Sequence, residues 1–306
     1  MKLLITGACG HIGSYLIQHI HKIKKINQVF LLDNFDSQRF NSIFNLKKGL
    51  NFKFYKIDLS RNKLNLFPKV HFVIHCASHT NAQGSFKVKK EMFRNNLNCM
   101  KNIINYCEKN KSKLIHISST SVYGKQSRMV NEEDESFLKP QSPYAEIKLI
   151  EEKLLKINKK KIRYNTFRFG TIAGVSNGMR FHTAINKFCL DASLNEKIHI
   201  YKTAFNQYRP YLSLRDAFKV FKFCIEKEIF NNSIYNVLSG NFTVKQIIKM
   251  IKKFKKKVGV KFVKSEIMNQ LSYFVDNKKI IKLGIKLNSS IQKDIKDTLN
   301  LFKYIN

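Results

Sequence analysis

The chain has 306 residues, enough for one or two domains with a sizeable core. No apolar run approaches the roughly 18 residues of a membrane span. The six cysteines (Cys9, Cys76, Cys99, Cys107, Cys189, Cys224) show no C-x-x-C pair or zinc spacing, so we expect no metal and read them as reduced thiols of a cytoplasmic protein. The 56 basic residues against 21 acidic ones give a net charge of +35, but the lysines are spread along the chain and carry no RNA-binding signature. Lys, Asn and Ile share A/T-rich codons, so composition bias is preferred to a nucleic-acid surface.

The first element is an apolar run of strand length, Lys2-Leu3-Leu4-Ile5-Thr6. Gly7-Ala8-Cys9-Gly10-His11-Ile12-Gly13 follows, and then an apolar-periodic stretch through Leu16, Ile17, Ile20 and Ile23. Strand, glycine turn and helix in that order are the setting of a dinucleotide-binding loop, here in the variant spacing G-x-x-G-x-x-G. The glycines let the backbone approach a pyrophosphate, and the helix N-terminus offers it free N–H groups. A second strand, Val29-Phe30-Leu31-Leu32, ends at Asp33, 20 residues beyond Gly13. An acid there accepts hydrogen bonds from ribose hydroxyls and repels a 2′-phosphate, which favours NAD over NADP, with Arg39 as the feature that keeps NADP open.

Next, residues 37–47 are expected to form a helix. Phe52-Lys53-Phe54-Tyr55-Lys56-Ile57 alternates as a third strand ending at Asp58-Leu59, and Val70-His71-Phe72-Val73-Ile74-His75-Cys76-Ala77 is a fourth, nearly all apolar and therefore central. Residues 89–109 read as a helix with Met92, Asn96, Cys99, Ile103 and Tyr106 on one stripe. Leu114-Ile115-His116-Ile117-Ser118-Ser119 is a fifth strand, and residues 163–169 a sixth. Such alternation implies a doubly wound parallel sheet, with ligands beyond the strand C-termini, where Gly7, Asp33, Asp58, Ala77 and Ser119 all fall. After Phe169 the rhythm breaks. Residues 170–210 are irregular, residues 214–228 read as a helix, Ile234-Tyr235-Asn236-Val237 as a strand, and residues 244–306 as a lysine-rich second lobe.

Between the fifth and sixth strands lies Ser142-Pro143-Tyr144-Ala145-Glu146-Ile147-Lys148. Ser142 can cap a helix whose first residue is Pro143. On that helix Tyr144 and Lys148 share a face, and a cation near a phenol favours the phenolate. Taken alone, the Tyr-x-x-x-Lys spacing occurs commonly by chance. It gains meaning from the phosphate loop before it and from the hydroxyl cluster Ser118-Ser119-Thr120-Ser121-Val122-Tyr123-Gly124.

Together these motifs resemble the extended short-chain dehydrogenase/reductase family, the NAD-dependent sugar-nucleotide epimerases and dehydratases. The resemblance runs through Thr6–Gly13, Asp33-Asn34, Asp58-Leu59, His75-Cys76-Ala77-Ser78, Asn95-Asn96, Ser118–Gly124, Tyr144–Lys148 and Arg209-Pro210-Tyr211. It implies a Rossmann-type α/β fold with a cofactor domain over 1–169, to which 211–238 returns. A smaller substrate lobe would comprise 170–210 and 239–306. It also implies roles. Gly7, Gly10, Ile12 and Gly13 would cradle the pyrophosphate of NAD. Asp33 and Asn34 would hold the adenosine ribose, Asp58 and Leu59 would edge the adenine, and Ala77, Ser78 and Asn96 would line the groove. Tyr144 would be the acid/base, Lys148 would tune it and bind the nicotinamide ribose, and Ser119 would be the catalytic hydroxyl, with Thr120 as its alternative. Thr120, Thr171, Arg180 and Arg209 would meet a nucleotide-diphosphate sugar, Arg209 through the diphosphate. His182 is a further candidate, with a packed loop histidine as the plainer reading.

The chemistry expected is oxidation of a sugar hydroxyl to a transient keto-sugar, followed by reduction on the other face, which is epimerisation. The family's 4,6-dehydratases carry Asp-Glu after the catalytic Thr, whereas this chain has Thr120-Ser121, which disfavours elimination. A sugar-nucleotide reductase or dehydrogenase and a non-catalytic NAD-binding or RNA-associated scaffold stay as alternatives. A homodimer is expected through a seam of Met92, Cys99 and Ile103 on one helix with Ile147, Ile150 and Leu154 on the next, or these side chains belong to the monomer core.

Overall fold

The computed structural model describes residues 1–80, 84–264 and 273–305. The larger half is built from β1 (Lys2–Thr6), α1 (His11–His19), β2 (Gln28–Asp33), β3 (Asn51–Lys56), β4 (Phe72–His75), α2 (Lys89–Asn110) and β5 (Lys113–Ser119). After the two-residue β6 (Met129–Val130) come α3 (Pro143–Ile157) and β7 (Tyr164–Phe169). The chain then leaves the large sheet through β8 (Thr171–Ala173), α4 (Ala184–Ser193), β9 (Ile198–Tyr201) and β10 (Tyr208–Ser213). It returns with α5 (Leu214–Lys227) and β11 (Ser233–Val237). The remainder comprises β12 (Gly240–Thr243), α6 (Val244–Phe254), β13 (Val260–Val263), β14 (Phe274–Val275), α7 (Lys278–Ile281) and α8 (Ile291–Asn300).

Seven strands form one parallel sheet in the order β3-β2-β1-β4-β5-β7-β11. Its inner strands are buried on both faces, which is why they read as unbroken apolar runs rather than alternating ones. Alternate residues still divide between two cores. Leu3, Ile5, Val29, Leu31, Ile74 and Ile115 pack with Leu16 and Ile17 of α1 and Phe221 of α5. Leu4, Phe30, Leu32, Val73 and Leu114 pack with Met100 and Ile103 of α2 and Leu155 of α3. The doubly wound sheet read from the sequence is this one. Among the described residues no helix is long and apolar enough to cross a membrane.

The smaller half has a sheet of β12-β10-β8, a β9–β13 pair and a core of Ile185, Cys189, Ile247, Ile251, Ile291 and Ile295 from α4, α6 and α8. The chain rejoins the larger half from Leu214, since Tyr211–Ser213 pairs with β8 in the smaller sheet.

One expectation changes. Residues 37–47 hold only a 3₁₀ turn, Phe40–Ile43, because Phe35, Gln38 and Asn45 adopt positive φ on either side and interrupt any longer helix. Of the side chains named for a dimer seam or the monomer core, Met92, Cys99, Ile103 and Ile147 are buried within this single chain, and Cys99 and Ile103 pack in the core between α2 and the sheet.

Candidate active site

The site is assembled at the C-terminal rim of the large sheet. Gly7 directly follows β1 with φ +63°, and a Cβ there would stand 2.6 Å from the amide N of Ala77 beyond β4. A Cβ on Gly13 would stand 2.3 Å from Gly7 O. These two positions exclude side chains because strand end, turn and helix start touch backbone to backbone. Gly10 is the N-cap of α1 and supplies no side chain, so the first-turn N–H groups are left for another acceptor.

Beside this turn lies a cleft of about 160 Å³. Gly7, Gly10, Asp33, Asn34, Asp58, Leu59, Ala77 and Ser78 all line it, as does Arg39. Asp33 is aimed from both sides: its Oδ2 accepts from Cys9 N and its Oδ1 from Phe35 N, each at 2.9 Å. Asn34 closes a local turn with Asp36, and Asp58 caps the turn to Ser60. Ile12 and Gly13 belong to the α1 turn and do not line the cleft. Asn96 is buried, and its amide holds both polar groups of the His79 peptide, while Asn95 faces the cleft.

The proton-transfer candidates stand at the C-terminal end of β5 and on α3. Ser119 ends β5 and caps the following 3₁₀ turn, its Oγ accepting from Ser121 N at 3.2 Å and Ser121 Oγ at 2.9 Å. That turn packs on α3. Ser142 Oγ caps α3 by accepting from Ala145 N, and Pro143 is its first residue. Tyr144 thereby starts the helix, with Lys148 Nζ 6.0 Å from its ring centroid.

Lys148 is buried and donates to Glu151 Oε2 at 2.8 Å, and the same oxygen meets His116 Nε2 at 2.9 Å. Burial opposes the charge on both Lys148 and Glu151, but their mutual attraction outweighs it. Glu151 is held at about 2, and Lys148 lies above its ordinary value. Beside them Arg168 grips Glu152 with two hydrogen bonds, of 3.0 and 2.7 Å, and donates to Tyr123 Oη at 2.9 Å. Tyr123 is fully buried and donates a hydrogen bond to Asn236 Oδ1.

Of the substrate candidates, Thr120 follows β5 and the others belong to the second lobe. Thr120 Oγ1 donates to Phe169 O and meets Tyr273 Oη at 3.4 Å. Thr171 and Arg209 lie on the neighbouring strands β8 and β10. Arg180 Nη1 donates to Thr80 Oγ1, on the loop after β4, and His182 is exposed. Sequence reasoning did not find Glu151, His116, Thr80 or Tyr273. Glu151 carries a signal, the i,i+3 spacing from Lys148, which reads as an ordinary surface pair. Tyr273 carries none.

The pieces a dinucleotide needs are therefore present: a turn closed to side chains, a free helix N-terminus and an oriented carboxylate at the end of the second strand. A family model described as the NAD dependent epimerase/dehydratase family matches residues 3–237. The chain is 30% identical over 259 residues to a dTDP-D-glucose 4,6-dehydratase of Dictyostelium discoideum, covering 77% of this chain and 58% of that protein. It spans about half the length of the curated relatives it matches first. It resembles the solved UDP-glucuronic acid 4-epimerase of Bacillus cereus, in complex with UDP-glucuronic acid and NAD, with a TM-score of 0.86, 25% identity and 100% of both chains covered. The UDP-glucose 4-epimerase of Thermus thermophilus, in complex with NAD, shares the fold at a TM-score of 0.85 and 20% identity over 100% of both chains. The chain belongs to the NAD dependent epimerase/dehydratase family, and its cofactor is NAD.

Proposed function

We propose that this chain is a sugar-nucleotide epimerase that works through a transient keto-sugar, with Tyr144 as acid/base. Bound NAD supplies a hydride acceptor that returns the hydride in the second half of the cycle. Tyr144 takes the proton of the sugar hydroxyl while Ser119 orients that hydroxyl, and the same phenol gives the proton back after the keto-sugar has turned. Lys148 holds a positive charge beside the phenol. Gly7 and Gly10 would carry the cofactor diphosphate, with Ile12 and Gly13 shaping the turn behind them, Asp33 and Asn34 its ribose, and Asp58 and Leu59 its adenine.

One observation favours epimerisation over elimination. Among the described residues no carboxylate hydrogen-bonds Ser119, Thr120 or Ser121, and the side chain after Thr120 is the hydroxyl of Ser121, bonded back to Ser119. Loss of water from a keto-sugar requires a proton donor for the leaving hydroxyl, and an acidic pair is missing there. The likeness to a dehydratase makes elimination the competing reading.

A nucleotide-diphosphate sugar is the substrate class, with Thr120, Thr171 and Arg209 as its ligands. The solved relatives support this through the UDP-sugars with which they were crystallised. All six cysteines are free, which agrees with a reducing, cytoplasmic setting. A homodimer through α2 and α3 would have to use the half-buried Ile150 and Leu154 and the outer flank of α2. Light scattering on the purified chain decides between monomer and dimer.

The test is incubation with a panel of UDP-, GDP-, dTDP- and CDP-sugars, followed by mass spectrometry and chromatography. Isomerisation at constant mass without net NADH change is expected. Loss of water or net reduction would replace the reading with dehydratase or reductase. Tyr144→Phe should lower turnover by at least about 100-fold while leaving bound NAD in place.

A further inference from the structure

The loop joining β8 to α4 lies across the phosphate-binding turn. Gly174 O accepts from His11 Nε2 at 2.8 Å, Ser176 Oγ donates to His11 O at 2.9 Å, and Gly178 N donates to Ser14 Oγ at 2.8 Å. A Cβ on Gly178 would stand 2.1 Å from Cys9 O and 2.7 Å from Gly10 O. The loop is thus seated on the glycine turn itself, backbone against backbone. Two residues later Arg180 reaches the far bank of the groove, where its Nη1 donates to Thr80 Oγ1. Thr80 stands two residues beyond Ser78, which lines the cleft.

Arg180 has an unusual set of neighbours. Its Nε is buried with no hydrogen-bond partner, and among the described residues no carboxylate pairs with it. The groups within electrostatic reach are Tyr144, Arg39, His11 and His182, none of them a carboxylate, and Arg39 also lines the cleft beside Asp33. Burial, and then the charge of Arg39, act against the Arg180 guanidinium. A partly buried guanidinium next to a second arginine, with no counter-charge and a donor to spare, suits an anion. It stands on the loop seated against the glycine turn and bonds the loop after β4, beside the turn where the diphosphate is expected.

We propose that Arg180 is a ligand of the cofactor's diphosphate, not of the sugar nucleotide as its sequence position suggests. The β8–α4 loop would strap the dinucleotide between the glycine turn and Thr80. A cofactor held by a charged strap leaves slowly, which suits a cycle that regenerates it in place. This rests on the cleft being the dinucleotide groove.

The test uses the full chain freed of bound nucleotide and titrated calorimetrically with ADP-ribose, adenosine and UDP. Arg180→Ala should weaken ADP-ribose by about 10- to 100-fold, the scale for losing hydrogen bonds to a charged group. Adenosine and UDP binding should stay as in the wild type, and the fall of ADP-ribose affinity with salt should become shallower. Arg180→Gln, of similar bulk and no charge, should do the same if the alanine variant is poorly folded. Gly178→Ala, which forces the strap off Cys9 and Gly10, should weaken ADP-ribose as well. Unchanged ADP-ribose affinity in both Arg180 variants overturns the proposal, as does a loss confined to UDP. Failure of the wild type to bind ADP-ribose at all overturns the reading of the groove and the proposal together, and is told apart by occurring without any mutation.

Discussion

Lys148 Nζ donates a 2.8 Å hydrogen bond to Glu151 Oε2, three residues further along the helix that carries Tyr144. The lysine expected to charge the active site is therefore anchored from behind by a buried carboxylate, itself tied to His116 on β5. Glu151→Gln keeps the shape and removes the charge. Lys148 then loses the attraction that holds its pKa up, and burial alone pulls it down. We expect the alkaline limb of the pH–rate profile to move to lower pH, and stability to fall by about 3–5 kcal/mol, the cost of orphaning one buried partner. An unmoved alkaline limb would show that Glu151 does not act through Lys148.

The same pair sets an acid window. Glu151 is held at about 2 against an ordinary 4.5; burial alone would have raised it, and Lys148 reverses that. Its folded-state pKa lies below the unfolded one, so its contribution is complete above pH 4.5 and is lost as pH falls towards 2. Lys148 lies above its ordinary 10.5, so its own contribution is complete below that pH and lost only above it. The difference in urea stability between wild type and Glu151→Gln should be constant through neutrality and should close as pH drops through the acid window. A difference that persists there contradicts the assignment.

Gly7 and Gly13 make the steric prediction. Gly7→Ala places a Cβ 2.6 Å from Ala77 N at a φ of +63°, and Gly13→Ala places one 2.3 Å from Gly7 O. Neither neighbour is a side chain that can swing away. Each variant should lose at least about 1–3 kcal/mol of stability. Each should also retain less NAD after purification, since the turn must open where the diphosphate is expected. Normal NAD content in both would separate the turn from the cofactor.

Arg168 and Glu152 form the second buried ion pair of α3, closed by two hydrogen bonds. Arg168→Ala should cost about 3–5 kcal/mol, because Glu152 remains buried without its partner. Arg168→Lys should recover only part of it, since one ammonium cannot replace the fork and also reach Tyr123. Thermal and denaturant unfolding measure both, and full recovery in the lysine variant would rule out a role for the fork.

The sequence by itself determined the architecture and most of the residues that line the cleft at the strand ends. Strands buried on both faces appear as apolar runs, and the Gly7-to-Gly13 turn, Asp33 and the Ser142-Pro143 start of α3 are local patterns whose spacing is set by backbone geometry. Only tertiary structure decided the rest. Glu151 is indistinguishable from a surface residue until β5 brings His116 and burial with it. Met92, Cys99, Ile103 and Ile147 make an apolar stripe whether they meet a partner chain or their own sheet. Gly178 and Arg180 lie in an irregular loop, yet they touch Ser14 and Thr80, 164 and 100 residues away. Tyr273 meets Thr120 across 153 residues. Contacts closed over such separations leave no period in the chain, because they depend on how finished elements dock and not on which residues neighbour one another.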